Sequence, residues 1–168
     1  MNYLGELTKS MTWLGGQPDT IFLGQGTLYT GNTIYKTLAG VPDDKKIELP
    51  VAEDMQMGMS IGLALTGKVP ITIFPRMDFL MCCMNQLVNH LDKFPDVKVI
   101  IRTCVGQTKP MYPGSQHCGD YTDGLCAILR NVEVFCSPSV HSIEPIYRWA
   151  YMRRGSTLLI EYGDMYND

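Results

Sequence analysis

Several features that mark specialised classes of protein are missing from this sequence. No apolar run is long enough to span a bilayer, so we expect no membrane partner. The basic residues form no cluster and the net charge is −3, which argues against nucleic acid as a partner. Residues 1–16 lack the basic start and the apolar centre of a secretory signal peptide, so we expect a cytoplasmic protein.

The cysteines have neither metal-binding nor redox spacing. None of the six belongs to a C-x-x-C motif, which argues against a zinc site and against a thioredoxin-like pair. We expect reduced thiols, several of them core residues, and no metal ligands in this chain. No glycine-rich phosphate loop follows the first predicted strand, which makes a stand-alone flavodoxin-like nucleotide binder a poor interpretation.

What is present is a regular alternation of β-type runs and helical patterns over 168 residues, a length that suits one domain with a core. The predicted strands are 20–24, 47–49, 69–74, 97–101, 132–135 and 157–160. The predicted helices are 3–14, one that opens at Glu53, 78–90 with Asp78 as its N-cap, 123–129 and 142–153. Two long loops, 25–44 and 103–120, lie between them. This alternation predicts a doubly wound, mainly parallel α/β sheet with helices on both faces.

The strand–helix–strand unit over residues 47–79 is the most informative part of the chain. Glu53 lies where the first strand passes into its helix, and Asp54 is almost its only polar neighbour. Proteins of the α/β class place their chemistry at such strand ends. A carboxylate at a helix N-terminus also has an ordinary structural explanation, because it interacts favourably with the helix dipole.

The same unit carries an ordered series of motifs: P-x-A-E, then G-x-x-x-G-x-A-x-x-G, then P-I and D-F. The positions concerned are Pro50 to Glu53, Gly58, Gly62, Ala64, Gly67, Pro70, Ile71, Asp78 and Phe79, followed by Gln86, Asn89, Arg102, Gln116, His117 and Glu161. In this order the residues resemble the pyrimidine-binding domain of thiamine diphosphate-dependent enzymes. The resemblance runs from Leu23 to Tyr166 and is strongest to the beta subunit of the 2-oxoacid (pyruvate) dehydrogenase decarboxylase component; transketolase is more distant.

The resemblance implies a role for four side chains. Glu53 matches the glutamate that activates the cofactor by a hydrogen bond to its pyrimidine ring, and apolar neighbours suit such a carboxyl group because desolvation raises its pKa. Phe79 matches the aromatic residue that stacks on that ring. His117 matches a histidine near the reacting end of the cofactor, where it handles protons of substrate and intermediate. Met57, one helical turn beyond Glu53, lines the same pocket or belongs to the core; the sequence leaves both open.

The resemblance also implies partners. Gly58 and Gly62 leave a smooth helix face, which in the family contributes to subunit contacts. The Gly-Asp-Gly signature that binds diphosphate is missing, because Gly119-Asp120 and Gly163-Asp164 are not its equivalents. We therefore expect Mg²⁺ and the diphosphate to be held by a diphosphate-binding, alpha-type partner chain, most simply in a heterotetramer. Residues 1–168 are expected to form a single pyrimidine-binding domain, with neither a diphosphate-binding domain nor a C-terminal transketolase-type domain.

Two departures from the family bear on function. Gln25 stands where the family has an acidic residue, and Cys118-Gly119 replace the usual Ser-Gln after the histidine. The leading hypothesis is the pyrimidine-binding subunit of a split thiamine diphosphate enzyme that acts on a C–C bond next to a carbonyl. It would be an oxidoreductase of the 2-oxoacid dehydrogenase or decarboxylase type, or a transketolase-like transferase, with a 2-oxoacid or a ketose as substrate. The alternative is a non-catalytic homologue that serves as a binding or assembly module.

Overall fold

The structure, a computed structural model, describes residues 2–30, 32–106, 108–109 and 112–167. Within these residues six strands form one sheet in the order β2-β1-β3-β4-β6-β5, and every neighbouring pair is parallel. The strands are β1 (Thr20–Gly24), β2 (Lys46–Glu48), β3 (Val69–Phe74), β4 (Ile100–Val105), β5 (Glu133–Cys136) and β6 (Thr157–Tyr162). The predicted fold class is confirmed.

The helices alternate with the strands. They are α1 (Tyr3–Gly15), α2 (Thr33–Lys36), α3 (Glu53–Leu65), α4 (Met77–Leu80), α5 (Thr122–Ile128) and α6 (Val140–Met152). Helical structure continues beyond α4 as a 3-10 turn, a π-helical stretch and a second 3-10 turn that ends at Lys93. Among the described residues, no helix combines the length and the apolarity needed to cross a bilayer.

The start of α4 differs from the prediction. The helix begins at Met77 and its N-cap residue is Arg76, so Asp78 lies inside the first turn and is not the N-cap. The Asp78 carboxylate instead accepts a hydrogen bond from the backbone N–H of Gly119 at 3.1 Å. A contact with a distant loop has therefore replaced the local capping bond that the sequence suggested.

Two hydrophobic cores lie on the two faces of the sheet. The first packs α1, α2 and α6 against one face, with Leu7, Ile34 and Tyr147 fully buried or nearly so. The second packs α3, the helical stretch from Met77 to Lys93, and α5 against the other face. Strands β3 and β4 are buried along their whole length, as expected for parallel strands covered on both sides. All six cysteines are free, and two of them, Cys83 and Cys104, are buried.

A buried polar network joins the neighbouring strands β4 and β6. The guanidinium group of Arg102 donates to both carboxylate oxygens of Glu161, at 2.7 and 3.0 Å, and neither side chain is exposed. The hydroxyl groups of Tyr147 and Tyr166 also donate to Glu161. Arg102 donates further to the Thr37 hydroxyl at 3.2 Å, so this network also fixes the segment after α2.

The topology defines one favoured place for a ligand. β1 lies between β2 and β3. The chain therefore passes from β1 to β2 on one side, and then crosses β1 to reach β3 on the other side. In open α/β sheets, ligands bind at such a switch point, outside the carboxyl ends of the strands. Here that point is the gap beyond Gly24 of β1 and Phe74 of β3.

Candidate functional site

An open cleft with a volume of about 790 Å³ lies at this switch point. Its walls come from the segments that follow the first four strands of the chain, so parts of the sequence almost one hundred residues apart meet there. The lining residues are Gln25, Gly26, Tyr29, Thr30, Asn32, Lys36, Glu48, Pro75, Arg76, Phe79 and His117.

Two of the residues singled out from the sequence meet in this cleft. Phe79 on α4 and His117 on a 3-10 turn (Ser115–His117) are both half-buried, and their ring centroids are 5.5 Å apart. The interplanar angle of 82° is an edge-to-face contact, a favourable geometry for two aromatic rings. The cleft therefore presents an aromatic ring and an imidazole side by side.

Glu48, at the carboxyl end of β2, organises one wall of the cleft. Its carboxylate accepts hydrogen bonds from the backbone N–H groups of Gly26 and Leu28, at 2.6 and 2.7 Å, and from the Thr27 hydroxyl at 3.1 Å. Burial raises the pKa of Glu48, but these hydrogen bonds outweigh burial and the net pKa lies below its ordinary value. The carboxylate is thus kept charged and fixes the loop that follows β1.

Sequence reasoning missed Glu48. The available signal was its place at the end of a predicted strand, on the same edge as the glycine-rich loop after β1. A charged residue at that place binds a ligand or hydrogen-bonds a nearby loop, and Glu48 hydrogen-bonds the loop after β1.

Glu53 is the first residue of α3 and is half-buried. Within the described part of the chain its carboxylate has no hydrogen-bond donor or ion-pair partner, and it is not one of the residues that line the cleft. The charges of Asp54 and Glu53 add to the effect of burial in raising the pKa of the Cys83 thiol to about 12. Glu53 therefore lies at the side of α3 near the helical stretch that follows α4, beside the cleft and not in its wall.

Met57 is fully buried in the second core together with Met77 and Leu80. It is likewise not among the described residues that line the cleft. Of the two roles that the sequence left open for Met57, the structure shows the core role, and contact with a cofactor stays a prediction.

The described residues contain no group of three histidine, cysteine, aspartate or glutamate side chains that could hold a metal ion. Glu48, which lines the cleft, is engaged by the loop after β1, and Asp78 is engaged by Gly119. This part of the chain offers an aromatic ring, an imidazole and cationic groups, but no metal-ligand cluster.

Comparison with known proteins agrees with the resemblance noted in the sequence. No family model matches the chain. The beta subunit of the pyruvate dehydrogenase E1 component from Cyanidium caldarium is 23% identical over 135 residues, which cover 74% of this chain and 39% of that subunit. The chain thus spans well under half the length of this relative.

Two solved structures share the fold. A split-gene transketolase, described as an inactive beta4 tetramer, superimposes with a TM-score of 0.77 and 20% identity over 96% of this chain and 51% of its own. A Mycobacterium smegmatis protein assigned as a thiamin diphosphate-dependent enzyme gives a TM-score of 0.65 and 13% identity over 93% of this chain and 31% of its own. The chain therefore shares the fold of thiamine diphosphate-dependent enzymes, in agreement with the pyrimidine-binding domain that its motifs resemble, and part of it is similar in sequence to beta subunits of pyruvate dehydrogenase.

Proposed function

We propose that this chain is the pyrimidine-binding part of a thiamine diphosphate-dependent enzyme that cleaves or forms a C–C bond next to a carbonyl group, and that it is active only with a diphosphate-binding partner chain. The observation that carries this proposal is the meeting of Phe79 and His117 in an open cleft at the switch point of the sheet. These are the two cleft residues that the sequence motifs had matched to cofactor stacking and proton handling.

The side chains present fit the pyrimidine half of the cofactor. Phe79 is half-buried and lines the cleft, so part of its ring surface is available for stacking. The Glu53 carboxyl, which has no donor within the described residues, is free to hydrogen-bond a ring nitrogen. When bound, thiamine diphosphate supplies a nucleophilic carbon for attack on the substrate carbonyl. The diphosphate and Mg²⁺ would be held by the partner, since this sequence lacks the Gly-Asp-Gly signature that binds diphosphate.

His117 is placed to move a proton in the cleft. An imidazole gains and loses a proton near neutral pH, and His117 lines the same open space as Phe79. We assign it the transfer of a proton to or from oxygen at the substrate carbonyl. Lys36 and Arg76 also line the cleft, while the acidic Glu48 is taken up by its three donors. This balance of charge favours an anionic substrate, a property shared by 2-oxoacids and phosphorylated ketoses.

The outer face of α3 supports the need for a partner. Around it Val51 is 68% exposed, Met55 44% and Leu65 66%. A methyl group at Gly62 would meet no atom of this chain within 4 Å, so the face is open as well as apolar. The split-gene transketolase is an inactive tetramer of beta chains alone, which is also the behaviour expected of a subunit that lacks its complement.

The alternative is a non-catalytic homologue that serves as a binding or assembly module. It is favoured by one observation, namely that Glu53 lies beside the cleft and not among the described residues in its wall. The two functions differ in what they require of the Glu53 carboxyl, because catalysis needs its proton and assembly does not.

The test compares Glu53→Gln with a matched control on the next residue, Asp54→Asn. Both changes replace a carboxylate by its amide in the first turn of α3, but Asp54 is exposed and accepts from the Gln86 amide at 3.2 Å. The tagged chain is first purified from its source cells, and the proteins that accompany it are identified by mass spectrometry. Turnover of pyruvate and of a ketose phosphate is then measured for each variant with that partner, thiamine diphosphate and Mg²⁺.

We expect Glu53→Gln to lower kcat by about a hundredfold or more, the usual size of a general acid–base contribution, and Asp54→Asn to leave it nearly unchanged. Equal turnover of wild type and Glu53→Gln would refute the catalytic role. Recovery of a stable chain without a stoichiometric partner, unable to bind thiamine diphosphate with Mg²⁺, would favour the assembly module.

A further inference from the structure

The loop after β4, which carries His117, is held by three consecutive residues, the N-cap of α4 and the first two residues of that helix. We call these residues, Arg76, Met77 and Asp78, the β3–α4 clamp. Each of them makes at least one hydrogen bond to the segment between Gly106 and Tyr121. The clamp comes from a part of the chain about 30 to 40 residues earlier.

Arg76 makes the contacts nearest to the imidazole. Its Nη1 atom donates to the backbone carbonyl of Gly106 at 3.1 Å and to that of His117 at 2.9 Å. One guanidinium nitrogen therefore ties the first residue beyond β4 to the residue that carries the imidazole. Both bonds are charge-assisted and therefore stronger than bonds between neutral groups.

Met77 and Asp78 hold the segment after His117. The Asp78 carboxylate accepts from the Gly119 N–H at 3.1 Å and from the Tyr121 hydroxyl at 3.4 Å. The Tyr121 N–H is 3.0 Å from the Met77 sulfur. Because Phe79 follows directly in the same helix, the clamp and the ring that His117 contacts move as one unit.

The imidazole depends on this backbone anchoring. Among the described residues the imidazole makes no hydrogen bond, and its aromatic contact is the edge-to-face one with Phe79; the backbone N–H of His117 donates to the Gly114 carbonyl at 3.1 Å. The rings stay 5.5 Å apart only while the backbone at His117 stays in place. A second anchor lies close to Gly106, because Asp164 accepts from the Thr108 N–H at 2.6 Å.

We propose that Arg76 is a positioning residue for His117. This inference rests on the proposed function only where it gives the imidazole a catalytic use. Arginine suits this task because its planar, permanently charged group presents several donors in a fixed geometry. Arg76 also lines the cleft, so the same side chain places the imidazole and contributes positive charge beside it. Its effect on turnover is then exerted through the position of His117.

The test uses Arg76→Met in the full chain, which keeps an unbranched side chain and removes the donors. Arg154→Met is the matched control, because Arg154 is 85% exposed and pairs only with the exposed Asp96, at 3.0 Å. Histidine side chains are labelled with ¹³C and observed by NMR, where the ring current of Phe79 marks the His117 signal. Amide exchange is measured on the same samples, and kcat and KM are measured with the co-purified partner.

We expect the His117 signal of Arg76→Met to lose its ring-current shift and the amides of His117 and Gly119 to exchange at least tenfold faster, while the β3 amides change by less than twofold. With the partner, kcat should fall because His117 is displaced, and KM for an anionic substrate should rise because the cleft has lost a positive charge. Arg154→Met should behave as wild type. If Arg76→Met does not fold, Arg76→Lys is used in its place. We then expect a smaller loss of the His117 ring-current shift and a smaller rise in the amide exchange rates.

An unchanged His117 signal and unchanged exchange, in whichever variant folds, would overturn the clamp. This outcome is separate from failure of the proposed function. If His117→Ala retains full turnover while Arg76→Met still releases the loop, the catalytic assignment is wrong and the positioning role stands.

Discussion

Replacing Glu161 by glutamine should destabilise this protein far more than any change to its exposed ion pairs. Arg102 and Glu161 are completely buried, and the pair is bidentate, at 2.7 and 3.0 Å. Glu161→Gln leaves the charge of the Arg102 guanidinium uncompensated. It also places an amide NH₂ group, which is itself a donor, against donors that the carboxylate had accepted from. Breaking a buried pair in this way costs roughly 3–5 kcal/mol of unfolding free energy. For a chain of this length that loss lowers Tm by roughly 6–20 °C, at about 2–4 °C per kcal/mol.

The neighbouring tyrosines add to the expected loss. Burial raises the pKa of both Tyr147 and Tyr166, so both phenols stay protonated and need an acceptor. Both donate to the Glu161 carboxylate. A glutamine has one carbonyl oxygen in place of two carboxylate oxygens, so at least one buried donor loses its partner, which costs about 1–3 kcal/mol more.

Urea unfolding followed by circular dichroism measures the effect. The control is Glu144→Gln at the surface, where Lys9 and Arg148 are its partners, and its loss should be much smaller because solvent screens exposed pairs. Arg102→Met combined with Glu161→Gln should be more stable than the sum of the single losses, by roughly 0.5–3 kcal/mol, because the stranded charge is gone. A loss below about 1 kcal/mol for Glu161→Gln, or strict additivity in the pair, would refute the reasoning.

Two further predictions concern protonation and burial. The folded-state pKa of Glu48 lies below its ordinary value of 4.5, so the stability that Glu48 contributes is present above that pH and is lost as the pH falls through the folded-state pKa. The difference in unfolding free energy between wild type and Glu48→Gln should therefore shrink on acidification. A difference that stays constant from pH 7 to pH 3 in urea titrations would contradict this. Brief alkylation of the native chain followed by peptide mass spectrometry should modify the two exposed cysteines well before the two buried ones, the exposed pair being Cys82 and Cys126 and the buried pair Cys83 and Cys104. Equal rates at all four sites would show that the two cores, which contain Cys104 and Cys83 respectively, are not packed as described.

The sheet shows where sequence reasoning succeeds and where it fails. β3 was predicted at its observed bounds, because the β-type run from Val69 to Phe74 has clear limits at Gly67-Lys68 and Pro75. β4 was predicted at 97–101 but spans Ile100–Val105. The prediction ended where Arg102 interrupts the apolar run. Only the structure shows that Glu161, 59 residues later, neutralises this charge and allows the strand to continue through the core.

The cleft was predictable only in part. The family motifs pointed to Phe79 and His117, and the structure brings these two together. Arg76 and Glu48 carried no such signal, because each acts on backbone groups of a loop that lies 20 or more residues away in sequence. Contacts of this kind depend on the whole topology, whereas a motif records only local order.

The position of β6 has a consequence for how the chain is made. β6 is the last strand in the sequence but lies between β4 and β5, so neither of them has its full set of partners before residues 157–162 have been synthesised. Until then the Arg102 charge lacks its carboxylate, and an edge of β4 is open to pairing with other strands. Completion of this sheet therefore waits for residues 157–162, and a nascent chain that stops shortly before them is the form most prone to aggregate.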